Sequence, residues 1–245
     1  MVEIRELRTL QEQFHARMIF DSVWPASNET QITSNMLQAM VHSGSYLVGV
    51  FDRKKIVGAS FAFPSIEPET HLHSHMTAFI DEYRDQGFGT QVKMHQWSWA
   101  KQHGYKSITW TYDPLVRRNA KFNILKLGAD LISYLPNFYG NMADELNTGD
   151  ESDRIMVRWD TTVSAPQPRA EIFEPPYDAE LIALPQDIVA IRRSVPELSQ
   201  KYRFEVRAAF TEAFATGKKV IGFSANNEYV LEHLYEVEKN ENRRN

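Results

Sequence analysis

The stretch Glu82-Tyr83-Arg84-Asp85-Gln86-Gly87-Phe88-Gly89-Thr90 constrains this chain more than any other. An extended run, Thr70–Ile80, leads into it. An amphipathic run from Gly87 to His103, closed by Gly104, leads out. Glycines at a strand-to-helix junction permit backbone conformations closed to other residues and let a ligand approach the main chain. The first N–H groups of the helix lack internal partners, and the helix dipole adds partial positive charge. Such a corner suits an anion, a diphosphate above all. A tight turn with no ligand is the plain alternative. The dinucleotide fingerprint fits poorly, because its first glycine is missing and the segment does not open a βαβ unit. A phosphate loop fails too, since no Gly-Lys-Ser/Thr follows.

Around this corner, periodicity predicts strands at Val2–Arg8, Ser45–Phe51, Ile56–Phe63, Ser107–Tyr112, Leu131–Tyr139 and Arg154–Trp159. Helices are expected over Leu10–Phe20, from a Thr33 or Ser34 cap to Gly44, and over Arg117–Leu127 before Gly128. The fold class is therefore mixed α/β (α+β), a sheet flanked by helices. Residues 1–160 form the first domain. Residues 161–177, with four prolines, read as a linker or extended crossover. Residues 178–245 form a strand-helix-strand extension. In it, Pro196 opens the helix that runs to Gly217, the strand pair is 218–223 and 228–232, and the polar tail 238–245 frays.

The formal net charge of -5 argues against a broad nucleic-acid footprint. No apolar run approaches the ~20 residues that span a bilayer, and the charged start MVEIRELRTL lacks a signal-peptide core. With no cysteine, disulfides, thiolate metal sites and a cysteine nucleophile are excluded together. The expectation is a cytoplasmic protein that binds neither nucleic acid nor membrane.

The run Arg84-Asp85-Gln86-Gly87-Phe88-Gly89 resembles the pyrophosphate-binding signature of the GNAT acetyltransferase superfamily, Arg/Gln-x-x-Gly-x-Gly/Ala. The element order from Val2 to Trp159 is similar to its mostly antiparallel sheet. More narrowly, SHM at 74–76, ITWTYDPL at 108–115, RRNAKFNILKLGA at 117–129 and YLPNFYG at 134–140 resemble a subgroup of predicted acetyltransferases of unknown substrate. The resemblance implies acetyl-CoA or another acyl-CoA as cosubstrate and a small-molecule or peptide amine as acceptor. It places the pantetheine arm along the strand before the signature, with backbone groups of Met76 and Ala78 as partners. The amides of Gln86, Gly87, Phe88, Gly89 and Thr90 would take the pyrophosphate, helped by Arg84. The strand Ile108–Tyr112 would splay away from its neighbour. Asn119 would lie near the arm. Arg117, Arg118, Lys93 and Lys121 are candidates for the nucleotide's extra phosphate, with solvated helix charge as the alternative. Ile124 stands where the family's thiolate-protonating tyrosine is usual.

Acyl transfer to an amine needs a base, a polarised carbonyl, held geometry and an acid for the thiolate, and positioning supplies much of the rate. In His71-Leu72-His73-Ser74-His75-Met76, alternation sets the three histidines on one face and Leu72, Ser74 and Met76 on the other. Imidazole titrates near neutrality, so His75 is the first candidate base, with Glu69 or an ordered water behind it. Surface or cross-strand packing is the alternative for each. Shared metal ligation is not expected, because alternate side chains on a strand diverge. For the acid, Tyr139 is preferred over Tyr112 and Tyr134. Asp113 orients substrate or caps a turn. The last third adds to the sheet, covers the acceptor site or builds a homodimer, and its helix face of Phe204, Val206, Ala208, Phe210 and Phe214 reads first as simple core. A non-catalytic CoA-binding module with the same fold remains the alternative to an enzyme.

Overall fold

A computed structural model describes residues 2–25, 30–140, 142 and 150–233. Strand β1 (Val2–Glu6) leads to α1 (Leu10–Val23). Thr9 caps α1 in a capping box with Glu12, the Thr9 side chain accepting from Glu12 N and the Glu12 carboxylate from Thr9 N. Thr33 caps α2 (Ser34–His42), accepting from Met36 N at 3.2 Å, and Gly44 ends it at φ +95°. Strands β2 (Tyr46–Asp52), β3 (Lys55–Ser65) and β4 (His71–Phe79) follow, then a short 3-10 turn over Asp81–Tyr83 and α3 (Phe88–Gln102). Strand β5 (Ser107–Tyr112) precedes α4 (Arg117–Lys121), β6 (Asp130–Leu135) and β7 (Arg154–Asp160).

Seven strands form one sheet in the order β1-β2-β3-β4-β5-β7-β6. Every pairing is antiparallel except that of β4 with β5. One face packs on α1 and α2 through Ala16, Phe20, Leu37, Phe61, Met76 and Ala78. The other packs on α3 and α4 through Leu72, Trp97, Ala100, Ile108, Ala120 and Ile124. Among the described residues, no helix is long and apolar enough to cross a membrane.

Besides β1, which ends at Glu6 rather than Arg8, two predicted elements are cut short for a visible reason. The helix over 117–127 is α-helical only to Lys121; residues 122–126 form a π turn, with Leu127 N donating to Phe122 O at 2.9 Å. The strand expected over 131–139 stops at Leu135, because Pro136 donates no hydrogen bond and Asn137 and Gly140 take positive φ.

Residues 161–177 run as an extended crossover tied to its surroundings. Arg169 N donates to Leu125 O at 2.7 Å, and Ile172 bridges Ser224. Beyond it, β8 (Glu180–Ala183), α5 (Ile188–Ser194), α6 (Pro196–Ala215), β9 (Lys218–Phe223) and β10 (Glu228–His233) build a three-stranded sheet ordered β8-β10-β9. Pro196 occupies the first turn of α6, where its missing N–H is harmless. Val206, Phe210, Phe223 and Tyr229 of this unit merge with the core beneath α3 and α4. The tail 238–245 lies outside the described residues.

Candidate functional site

The glycine corner turns as its sequence demands. Asp85 takes φ +58° and Gly87, the residue before α3, takes φ +81°. Left-handed residues this close together swing successive amides toward one point. Among the described residues, the N–H groups of 86–90 meet no protein acceptor; the first bonded amide is Gln91 N, to Gly87 O at 3.4 Å. A Cβ on Gly87 would touch nothing within 4 Å, so its constraint is conformational. A Cβ on Gly89 would stand 3.3 Å from the Phe122 ring, so glycine there also lets the π turn after α4 come close. Phe88 packs on Phe79 and Tyr83, fixing the start of the helix. Arg84 folds back, its Nε donating to Phe79 O at 3.2 Å and its guanidinium 2.8 Å from Asp81. That exposed pair is weak and easily exchanged for a stronger anion.

The strand before the corner has an open edge. β4 and β5 pair only at Leu72↔Ile108 and His73↔Thr109, and from Ser74 and Trp110 onward they part. β4 stays paired with β3 through Phe79 on its other edge, and β5 with β7 throughout. Met76 and Ala78 thus lie along an unpaired seam that runs toward the amides of 86–90. The β3–β4 register shifts where Phe61 faces Met76 and Ala62 faces Ser74, which leaves His75 bulged out.

This bulge corrects the alternation. The three histidines share a face, with His73 packed on Phe63 and His75 on Phe63, His73 and Tyr139. Met76, expected on the opposite face, joins the same side among the residues that meet α1 and α2. Leu72 and Ser74 face α3 as expected.

A cleft of about 340 Å³ opens on the histidine face, lined by Phe63, His71, His73, Phe138 and Arg158 among others. His71 Nδ1 bonds Glu69 O at 2.8 Å and His73 Nδ1 bonds Thr109 Oγ1 at 3.0 Å. Burial, then His75, His71 and Lys93, lower the His73 pKa to about 4. Partial desolvation beside the Phe63, His73 and Tyr139 rings lowers the pKa of His75, still exposed, in the same direction. Tyr139 joins from distant sequence, its hydroxyl 3.3 Å from Thr111 Oγ1 on β5 and its ring beside His75. Among the described residues, no three His, Asp or Glu side chains gather to hold a metal ion.

Several candidates are engaged elsewhere. Glu69 pairs with Arg158 at 2.6 Å, so its carboxylate is held at the rim of the cleft. Arg117 donates to Leu184 O on the C-terminal unit, and Lys121 pairs with Glu171 of the crossover. Lys93 is buried under the seam. Of the four phosphate candidates, only Arg118 is exposed with no protein partner among the described residues. The Tyr112 hydroxyl faces that of Tyr229 and Tyr134 donates to Asp153 at 2.6 Å, with burial raising both pKa values; neither reaches the seam as an acid. Asp113 belongs to a buried ion network with Arg192 and Arg203 rather than to a substrate. Ile124 is fully buried. The Asn119 side chain makes no bond among the described residues, and its carbonyl accepts from Asn123 Nδ2 at 2.8 Å.

The buried cluster of Lys93, Gln96, Ser74 and Trp110 was not legible as a unit. Its one sequence signal is Lys93 itself, a charge on the helix face that also carries Val92, Gln96 and Trp97 inward.

No family model matches this chain, and no curated protein matches its sequence. Solved structures share its fold. The ribosomal-protein-S18-alanine N-acetyltransferase of Escherichia coli is 13% identical, with a TM-score of 0.52 over 67% of this chain and 97% of its own. Arabidopsis thaliana Naa50, solved with the bisubstrate analogue CoA-Ac-MVNAL, is 14% identical, with a TM-score of 0.52 over 65% of this chain and 98% of its own. An acetyltransferase of the GNAT family from Streptococcus pneumoniae is 12% identical, with a TM-score of 0.50 over 65% and 99%. The large, mostly antiparallel sheet flanked by helices is the GNAT fold.

Proposed function

From a chain with the GNAT fold and an open seam ending at unengaged amides, we infer an acyl-CoA-dependent N-acyltransferase, with acetyl-CoA the first cosubstrate to test. The carrying observation is the set of amide donors at 86–90, which among the described residues meet no protein acceptor and lie at the end of an unpaired strand edge. Those amides and the dipole of α3 suit a pyrophosphate. The free edge of β4 at Met76 and Ala78 suits an extended arm that adds to it like a strand. The thioester then falls near the bulge at His75. The cleft on the histidine face receives the amine, small molecule or peptide, and transfer is direct, within a ternary complex.

In this reading neutral His75 takes the proton from the amine, and Tyr139, the accessible hydroxyl of the three tyrosines considered, serves as acid. Glu69 shapes the cleft through Arg158 instead of acting as base. Asn119 is free to bond the arm. Much of the rate comes from held geometry, worth up to ~7–11 kcal/mol in ideal cases.

The test is a thermal-shift titration with acetyl-CoA and longer acyl-CoAs, followed by thiol release across an amine panel. Ligand binding raises the melting temperature by mass action. Gly87→Val should weaken CoA binding at least tenfold, because a β-branched residue resists φ near +80°; unchanged affinity removes the proposed site. Fully buried Ile124 at the family's usual acid position favours a second reading, a CoA-binding module without turnover. Stabilisation by acyl-CoA with no thiol release over the panel selects it.

A further inference from the structure

Lys93 stands where β4 and β5 part. Its Nζ donates to Ser74 Oγ at 3.0 Å and to Gln96 Oε1 at 2.8 Å, and it lies 3.6 Å from the centre of the Trp110 ring. Ser74 and Trp110 are the first residues of the two strands beyond their last paired positions. The amine is therefore lodged in the crotch of the seam, touching both walls.

What surrounds it is polar and aromatic but uncharged. β4 offers Ser74 and the titratable His73, β5 offers Trp110, β7 offers Trp159 at 5.6 Å, and α3 itself offers Gln96. Among the described residues no carboxylate pairs with Lys93, which is only 4% exposed. Gln96 Nε2, also buried, finds no acceptor there. A buried cation with no counter-charge is costly, and an apolar chain of similar volume would pack as well. Burial accordingly pushes the ammonium well below the ordinary lysine range. An anion arriving in the seam would restore the charged form.

Resting on the acyl-CoA reading above, we infer that Lys93 is the counter-ion for the CoA thiolate as it departs. The amine nitrogen forms the new C–N bond, the C–S bond breaks with its electron pair on sulfur, and the amine's surplus proton goes to His75. The thiolate rests against the Lys93 ammonium until a proton from Tyr139, replenished through solvent from His75, returns it to the neutral thiol. Lys93 thus supplies from the floor of the seam the stabilisation that Ile124, in place of a tyrosine, cannot supply.

The experiment compares CoA with desulfo-CoA, which lacks the thiol, on the full chain and on Lys93→Met. Calorimetric titration gives both affinities, and the ultraviolet thiolate band of bound CoA gives its ionisation against pH. In the wild type, bound thiol should ionise at least about one unit below the ~8.5 of a free thiol. Lys93→Met should remove that shift and weaken CoA progressively as pH rises through the free thiol value, toward the roughly tenfold that one unit is worth, while desulfo-CoA changes less than about twofold. Wild-type thiol that titrates like the free compound overturns the assignment, even if the variant fails to fold. Equal weakening of both ligands also overturns it, making Lys93 a structural prop. Wild-type protein that binds neither ligand overturns the acyl-CoA reading and this assignment with it.

Discussion

Two places along β5 present opposite solutions to buried polarity. Past its C-terminal end, Asp113 accepts from Arg192 at 2.8 Å and from Arg203 at 3.2 Å, and Asp150 accepts from Arg203 at 2.9 Å and Ser199 at 2.8 Å. Charges here answer one another, and the network locks α5 and α6 onto the large sheet. At the seam beside Trp110, Lys93 has no anion, Gln96 Nε2 no acceptor, and the amides of 86–90 no carbonyl among the described residues. The closed network specifies how two units pack. The open set of donors is incomplete until something with negative charge arrives. Satisfaction of polar groups thus separates structure from function inside one core.

Breaking the closed side should produce the largest effect. Asp150→Ala removes a fully buried carboxylate and, among the described residues, leaves the guanidinium groups of Arg192 and Arg203 sharing Asp113. Loss of one member of a buried ion network costs about 3–5 kcal/mol. Urea unfolding measures it directly. A loss below ~1 kcal/mol would mean that apolar packing alone holds the C-terminal unit, and the contrast would dissolve.

Acid should separate the two regions in order. The folded pKa of His73, about 4, lies below its unfolded value near 6.5, so the unfolded chain takes the proton first. Its contribution is complete above pH ~6.5 and is lost as pH falls toward 4, on the order of 2 kcal/mol after allowance for partial exposure. Burial pushes the Asp113 carboxyl up, but Arg203 and Arg192 overcome this and hold it at about 2, from 3.8. Its contribution is present above the unfolded value and is lost only as pH falls through 2. Unfolding free energies at pH 7, 5 and 3 should therefore drop between the first two from the seam, with the ion network intact. A flat profile between 7 and 5 would show that His73 is not strained toward neutrality.

The sequence signals that proved readable were local. Glycine after a helix, threonine before one and proline in a first turn act through their own backbone, so Gly44, Thr33 and Pro196 carry their meaning alone. The corner at 84–90 was readable for the same reason. The bulge at His75 was not, because a two-residue period carries no mark of where register slips, and Met76 changed faces with it. Nor was the division of labour among the cations. Arg117, Lys93 and Lys121 are indistinguishable from Arg118 in sequence. Only packing shows that the first meets Leu184 O, the second dives under the seam and the third meets Glu171.

Arg118 offers the smallest and finest test of the open side. Gly89 abuts Phe122, the first residue after α4, and Arg118 lies four residues before it. Arg118 is exposed, which leaves its charge free to swing toward the corner where a diphosphate would sit. A solvated arginine at such range contributes roughly 0.2–1 kcal/mol, screened by salt. Arg118→Ala should therefore weaken CoA two- to fivefold at low ionic strength, with no measurable change in melting temperature. The loss should shrink for dephospho-CoA, which lacks the extra phosphate, and fade as salt rises. If both ligands weaken equally, Arg118 acts on the pyrophosphate. If neither weakens, the open donors at 86–90 hold the anion without help from α4.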